Sequence, residues 1–218
     1  MPRRRLADVL VWLAGLAMTL FAIFPIVWAL LTSLKEEAAI ITTRMQYIPE
    51  SITYQNYVDI WTRSNFPILL TNSAITTAMT VVICATLGTL ASYAIARFQF
   101  RGRRELMLFY LIIRMFPAVM IIIPLFVLMR NVGLLDSRLG LALAYTTFLL
   151  PVSIWMMKGF FDAVPLALED AARIDGCTRL SALWRVVLPV ARTGLIATAV
   201  FVAIGAWNEF LFALVLTT

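Results

Sequence analysis

The chain has 218 residues, 62% of them hydrophobic and 14% charged. That balance exceeds what a soluble single domain carries, and apolar runs of about 20 residues are the length a bilayer requires. Histidine is absent, and the two cysteines, Cys84 and Cys177, have neither metal-site nor disulfide spacing. A net charge of +6 would suit nucleic acid. The charges gather in the links between apolar runs, however, which is the pattern of a membrane protein.

Arg3, Arg4 and Arg5 open the chain, and an apolar run follows over 10–31. It is too long for a signal peptide and reads as a first span. Residues 34–66 are polar, with Tyr47, Tyr54, Tyr57 and Trp61 suited to a membrane interface. They predict an external, partly helical loop. A second span is expected over 67–96, where Gly88 and Ser92 stand four apart. Small residues so spaced allow close helix packing in lipid, although span composition alone accounts for them nearly as well. Arg97, Arg101, Arg103 and Arg104 form the next link. A third span over 106–129 contains Pro117 and Pro124, which neighbouring helices can tolerate. A turn at 130–138 leads to a fourth span at 139–157, and a fifth runs over 193–216.

The stretch 158–192 stands apart. It holds the acids Asp162, Glu169, Asp170 and Asp175 and the bases Lys158, Arg173, Arg179, Arg185 and Arg192. It predicts two short helices around a sharp turn. Pro165 suits a first helical turn, with Asp162 as a possible cap. Leu166, Leu168, Ala171, Ala172 and Ile174 supply an apolar side, and Gly176 ends the helix in a left-handed turn. Thr178 can cap the second helix, along which Leu180, Leu183, Trp184 and Val187 recur at helical spacing until Pro189 interrupts its backbone ladder. From spacing alone, an interfacial loop resting on headgroups is an equal reading.

Asp170, Ala171, Ala172, Asp175, Gly176, Leu188 and Pro189 follow the order of the EAA loop of ABC-importer permeases, and the stretch resembles that family. Asp170 stands for the usual Glu, Cys177 for a usual Ala, Leu183 for a usual aromatic and Thr193 for a usual second Pro. The runs 115–126, 132–155 and 206–217 are similar to the carbohydrate-uptake, MalG-like branch. The resemblance implies an all-α polytopic transmembrane bundle, the type I ABC importer permease fold. It implies one permease domain over 1–218, with 158–192 as a cytoplasmic coupling loop. Permeases of this kind have a further span, so a sixth is expected to be missing here, with a five-span protein as the alternative.

The implied function is the membrane subunit of an ATP-driven importer for a sugar or oligosaccharide. Its implied partners are a second permease subunit in a heterodimer, two cytosolic ATPase subunits, an extracytoplasmic solute-binding protein and membrane lipid, without nucleic acid. This chain is expected to need no cofactor and to catalyse nothing, with ATP and Mg on the ATPase. The coupling residues implied are Asp170, Ala171, Ala172, Asp175, Gly176, Leu183, Leu188 and Pro189.

Orientation has a separate basis. The first arginines, those at 97–104 and the bases of 158–192 outnumber Lys35, Arg44, Arg63, Arg130 and Arg138 more than twofold. The positive-inside rule therefore places the N-terminus and the coupling loop in the cytoplasm. The resemblance implies the inner membrane of a prokaryote. Arg114, about 15 Å into its span at the helical rise per residue, and Asn208 and Glu209 in the fifth span are costly at such depth. They line a solute path or serve as structural polar groups, with an Arg114–Glu209 pair as one option. An ion-coupled secondary carrier or a channel is the alternative function, although no inverted repeat is visible.

Overall fold

A computed structural model describes residues 2–40 and 47–217, with side chains for all of these except residues 2–6, 114 and 118. Arg44 lies outside the described residues. Among these residues every regular element is a helix. The chain divides into two compact units, Met1–Leu69 and Leu70–Thr218.

In the first unit, α1 (Pro2–Ser33) is apolar on all sides from Ala7 onward. None of that stretch is buried within the protein, as befits a helix whose solvent is lipid. Two short helices follow, α2 (Glu37–Ile40) and α3 (Gln55–Thr62). Asn56 ties α3 to the end of α1 by donating to the carbonyls of Ser33 and Lys35, at 3.0 and 2.7 Å. Lys35 lies over the Trp28 ring, 5.1 Å from its centroid.

In the second unit, α4 (Phe66–Arg97) and α7 (Arg138–Ala163) are long and apolar enough to cross a membrane. The expected third span is divided into α5 (Arg103–Met115) and α6 (Ala118–Asn131). Pro117 is the reason. The residue before a proline is pushed out of helical geometry, and Phe116 is extended at φ −74°, ψ 130°. Pro124, by contrast, sits inside α6.

Val164 before Pro165 repeats the device at φ −82°, ψ 121°, ending α7 and turning the chain into α8 (Leu166–Ile174). Next come α9 (Arg179–Ala182), a π-helical turn (Leu183–Val187) and α10 (Leu188–Val190). The chain then bends by 81° into α11 (Arg192–Trp207). The expected fifth span is also broken, because α11 stops at Trp207 and α12 (Leu211–Leu216) starts after a short irregular link.

Helix α7 is the axis of this unit, packing against α5, α11 and α12. A Cβ added at Gly194 of α11 would lie 2.2 Å from Phe160 Cγ, and one added at Gly88 of α4 would lie 2.3 Å from Ser153 Oγ. Both crossings therefore depend on a missing side chain. Ser153 also donates to the Cys84 carbonyl at 3.1 Å, joining α7 to α4. Two apolar clusters result. One gathers Cys84, Leu125, Tyr145, Leu149, Val202 and Phe212. The other gathers Tyr93, Met157, Phe161, Val164, Leu183 and Val187, directly beneath the polar stretch.

Candidate functional site

The polar stretch folds as an elbow whose ends are fixed by backbone chemistry. At the close of α8, Gly176 has φ +90°, a left-handed conformation that costs a side-chain-bearing residue energy. The Gly176 N–H donates to the Arg173 carbonyl at 3.1 Å, and the Cys177 N–H donates to the Ala172 carbonyl at 3.0 Å. These two bonds form a Schellman closure. Thr178 then caps α9, its hydroxyl oxygen accepting from the Ser181 N–H at 3.2 Å.

The π-helical turn follows from Pro189. Proline has no N–H for the carbonyl four residues back and its ring crowds that carbonyl. The preceding turn is widened, and the Leu188 N–H reaches back five residues to Leu183. Leu183 and Val187 are fully buried beneath it, whereas Leu180 and Trp184 face outward.

The inward face of α8 differs from the one the apolar pattern predicts. Glu169 and Ala172, three apart, are its buried residues. Glu169 Oε1 accepts from the Tyr93 hydroxyl at 2.5 Å, and Oε2 accepts from Arg97 Nε at 3.0 Å. The side chains of Arg97 and Glu169 are only 6% and 8% exposed. Arg97 Nη2 also donates to the Val164 carbonyl at 3.0 Å, in the elbow between α7 and α8. Tyr93 packs edge-on against Phe161, with centroids 5.9 Å apart. One buried ion pair thus joins the last turn of α4, the end of α7 and the middle of α8. Sequence reasoning counted Glu169 among the acids but missed this anchor. The available signals were Tyr93 and Arg97 four apart on one helical face, and Glu169 three before a small residue.

Leu166, Leu168 and Ile174 are all exposed on α8, the last 86%, with Leu166 and Leu168 flanking the buried side and Ile174 opposite it. Asp170, Ala171, Asp175 and Gly176 are exposed beside them. Asp170 has a loose contact with Arg173 at 3.9 Å, with both side chains largely in the open. Ala172 is turned into the protein and does not lie on this surface. Leu188 is half-buried and Pro189 exposed. Asp162 is not the cap of α8, because it pairs with Lys158 one turn earlier on α7. The large apolar residues of α8 are thus left exposed, while Glu169, alone among its charged residues, faces in with Ala172.

Of the three polar residues expected at depth, Arg114 lies in the last turn of α5, and its side chain is outside the described residues. The Arg114–Glu209 pair therefore lies outside the described residues. Glu209 has a local task, accepting from the N–H groups of Leu211 and Phe212 at 3.0–3.1 Å and so capping α12. Asn208 donates to the Ile204 carbonyl at 2.8 Å. With Thr77, Ala203, Ile204 and Trp207 it lines a shallow, open surface pocket of about 240 Å³ beside the end of α11. Irregular backbone at membrane depth is tolerated where it is covered by protein or lines a cavity.

Residues 85–218 match the family described as the binding-protein-dependent transport system inner membrane component. The chain belongs to that family. As a permease of this kind it is 40% identical over 197 residues to the trehalose transport system permease protein SugB of Mycobacterium tuberculosis, covering 90% of this chain and 71% of that one. It is 31% identical over 215 residues to the trehalose/maltose transport system permease protein MalG of Thermococcus litoralis, covering 98% and 77%. Among solved structures, it superposes with a TM-score of 0.85 and 29% identity on a chain of a bacterial ABC transporter that imports the acidic polysaccharide alginate, covering 99% of this chain and 75% of that one. These matches put the chain in the type I importer permease fold that the EAA-like residues implied. They favour an ABC importer subunit over an ion-coupled carrier or channel. The whole elbow, from Pro165 to Pro189, lies inside the matched segment.

Proposed function

We propose that this permease passes a saccharide across a prokaryotic inner membrane, and that its 165–189 elbow is where a cytosolic ATPase acts on it. The observation that carries the second part is the outward face of α8. Leu166, Leu168 and Ile174 lie exposed on a stretch too polar to rest in lipid. Burying large apolar side chains is worth roughly 1.5–3 kcal/mol each, whereas exposed ion pairs yield about 0–1 kcal/mol. Docking would therefore draw mainly on the three apolar side chains. Asp170 and Asp175 would orient the contact through charge.

The mechanism follows from stiffness. Two ATPase subunits close on ATP and Mg²⁺, which they hold, and the closure presses on α8. A short helix closed by Pro165 and Gly176 transmits that push without fraying. Gly176 makes the turn, and Leu183 and Val187 root the second arm. The excess of basic residues in the N-terminal, 97–104 and 158–192 segments supports a cytoplasmic elbow and N-terminus. A second permease subunit completes the path in a heterodimer, and an external binding protein delivers the solute. Asn208, at the α11–α12 break, contributes to the wall of the path. Arg114 stays a candidate for the same wall, while Glu209 shapes it by capping α12.

A saccharide is the solute class because the relatives carry the names of trehalose and maltose systems. A further relative in Streptomyces coelicolor is named as a diacetylchitobiose uptake permease. The test is reconstitution in vesicles with the cognate ATPase and binding protein. Uptake of a labelled disaccharide should require ATP and the binding protein. Uptake driven by an ion gradient and indifferent to ATP would contradict the proposal.

A further inference from the structure

Glu169, Arg97 and Tyr93 form a buried charged cluster that the docking surface does not use. Both oxygens of Glu169 are engaged by α4, through the Tyr93 hydroxyl and Arg97 Nε. Arg97 reaches at the same time to the Val164 carbonyl at the α7–α8 elbow. The side chains that take part are fixed in turn. Tyr93 stacks edge-on against Phe161 of α7, and Phe98, just past α4, has the Arg179 guanidinium 4.8 Å from its ring centroid. Farther along, Ser153 of α7 is bonded to Cys84 of α4. Helices α4 and α7 are thus cross-tied at two levels, and α8 joins them at the Glu169 level.

We propose that Arg97 and Tyr93 are positioning residues for energy coupling, holding Glu169 so that a push on α8 moves α4 and the end of α7 as one body. This inference rests on the reading of α8 as the ATPase contact. An apolar contact would let α8 slide along its bed, because hydrophobic attraction has no preferred direction. Charge-assisted bonds to two oxygens of one carboxylate fix distance and angle together. Arg97 adds a third tie at the hinge itself, where Val164 and Pro165 set the bend. Without the cluster, the ATPase would still grip the exposed face of α8. The helix would then tilt on its hinge, and less of the stroke would reach the spans.

The experiment compares Arg97→Gln, Glu169→Gln, Tyr93→Phe and Gly176→Val in the full reconstituted complex. Co-purification of the ATPase, ATP hydrolysis and uptake are measured for each. The three cluster variants should retain the ATPase and hydrolyse ATP, while uptake per ATP falls, by about tenfold for Arg97→Gln with the loss of its two charge-assisted bonds. Tyr93→Phe keeps the ring against Phe161 and decides the matter if Arg97→Gln does not assemble. Unchanged uptake per ATP in the cluster variants that assemble would overturn the proposal. If Gly176→Val transports normally, the reading of α8 as the contact falls. If Gly176→Val alone is impaired, that reading stands and the cluster has no part in coupling.

Discussion

Glu169 and Arg97 show how a single residue's environment decides its value. Each would be costly to bury alone, and they are tolerated because each satisfies the other and the Tyr93 and Val164 groups beside them. Truncating one partner leaves the other charge buried and unpaired. Glu169→Ala should therefore lose about 3–5 kcal/mol, read as a lower unfolding midpoint of the detergent-solubilised protein. Replacing both with apolar side chains, Glu169→Leu with Arg97→Met, should cost less than Glu169→Ala alone. Equal losses for the single and double variants would mean that the pair is not coupled. Glu209 is a second case. Its carboxylate caps α12, so Glu209→Gln should cost about 1 kcal/mol, in the range of lost helix caps. The apparent KM for the solute should stay near its starting value, and a large rise in KM would place the carboxylate on the solute.

Among the elements, prolines and glycines set the geometry. Pro117 and Pro165 each force an extended residue before them and turn the chain. Gly88 and Gly194 let α4 and α11 come close to α7. Gly194→Val should destabilise by at least about 1–3 kcal/mol, the usual cost of over-packing, because it would collide with Phe160. Adding Phe160→Ala should recover part of that loss in thermal unfolding.

Much of this architecture was legible in the residues. The Gly176 turn, the Thr178 cap and the long apolar helices follow local rules that act within a few positions. The breaks in 106–129 and 193–216 were not legible, because an apolar run marks what lies in lipid and not where its backbone bends. Pro117 and Pro124 show the difficulty, since one breaks the helix and the other is absorbed. Nor was the true inward face of α8. Leu166, Leu168, Ala171, Ala172 and Ile174 were read as one apolar side, but the bond of Glu169 to Arg97, 72 positions earlier, turns Glu169 and Ala172 inward. Leu166 and Leu168, on the two flanks of the buried face, and Ile174 opposite it are left exposed, which is the feature that suggests a partner.

For the whole molecule, the proposed function requires a membrane bundle to meet an external source of work at one exposed surface. Alpha-helical spans bury their own backbone polarity, and α7 provides the central packing of the second unit. What distinguishes the elbow is that it is rigidly rooted yet leaves Leu166, Leu168 and Ile174 exposed. The most direct measurement is cross-linking from Ile174→Cys, in a Cys177→Ser background, within the assembled importer. Position 174 should cross-link to the ATPase subunit and stay closed to membrane-impermeant thiol reagents in intact cells. Labelling from outside intact cells, or cross-links to lipid alone, would contradict that contact.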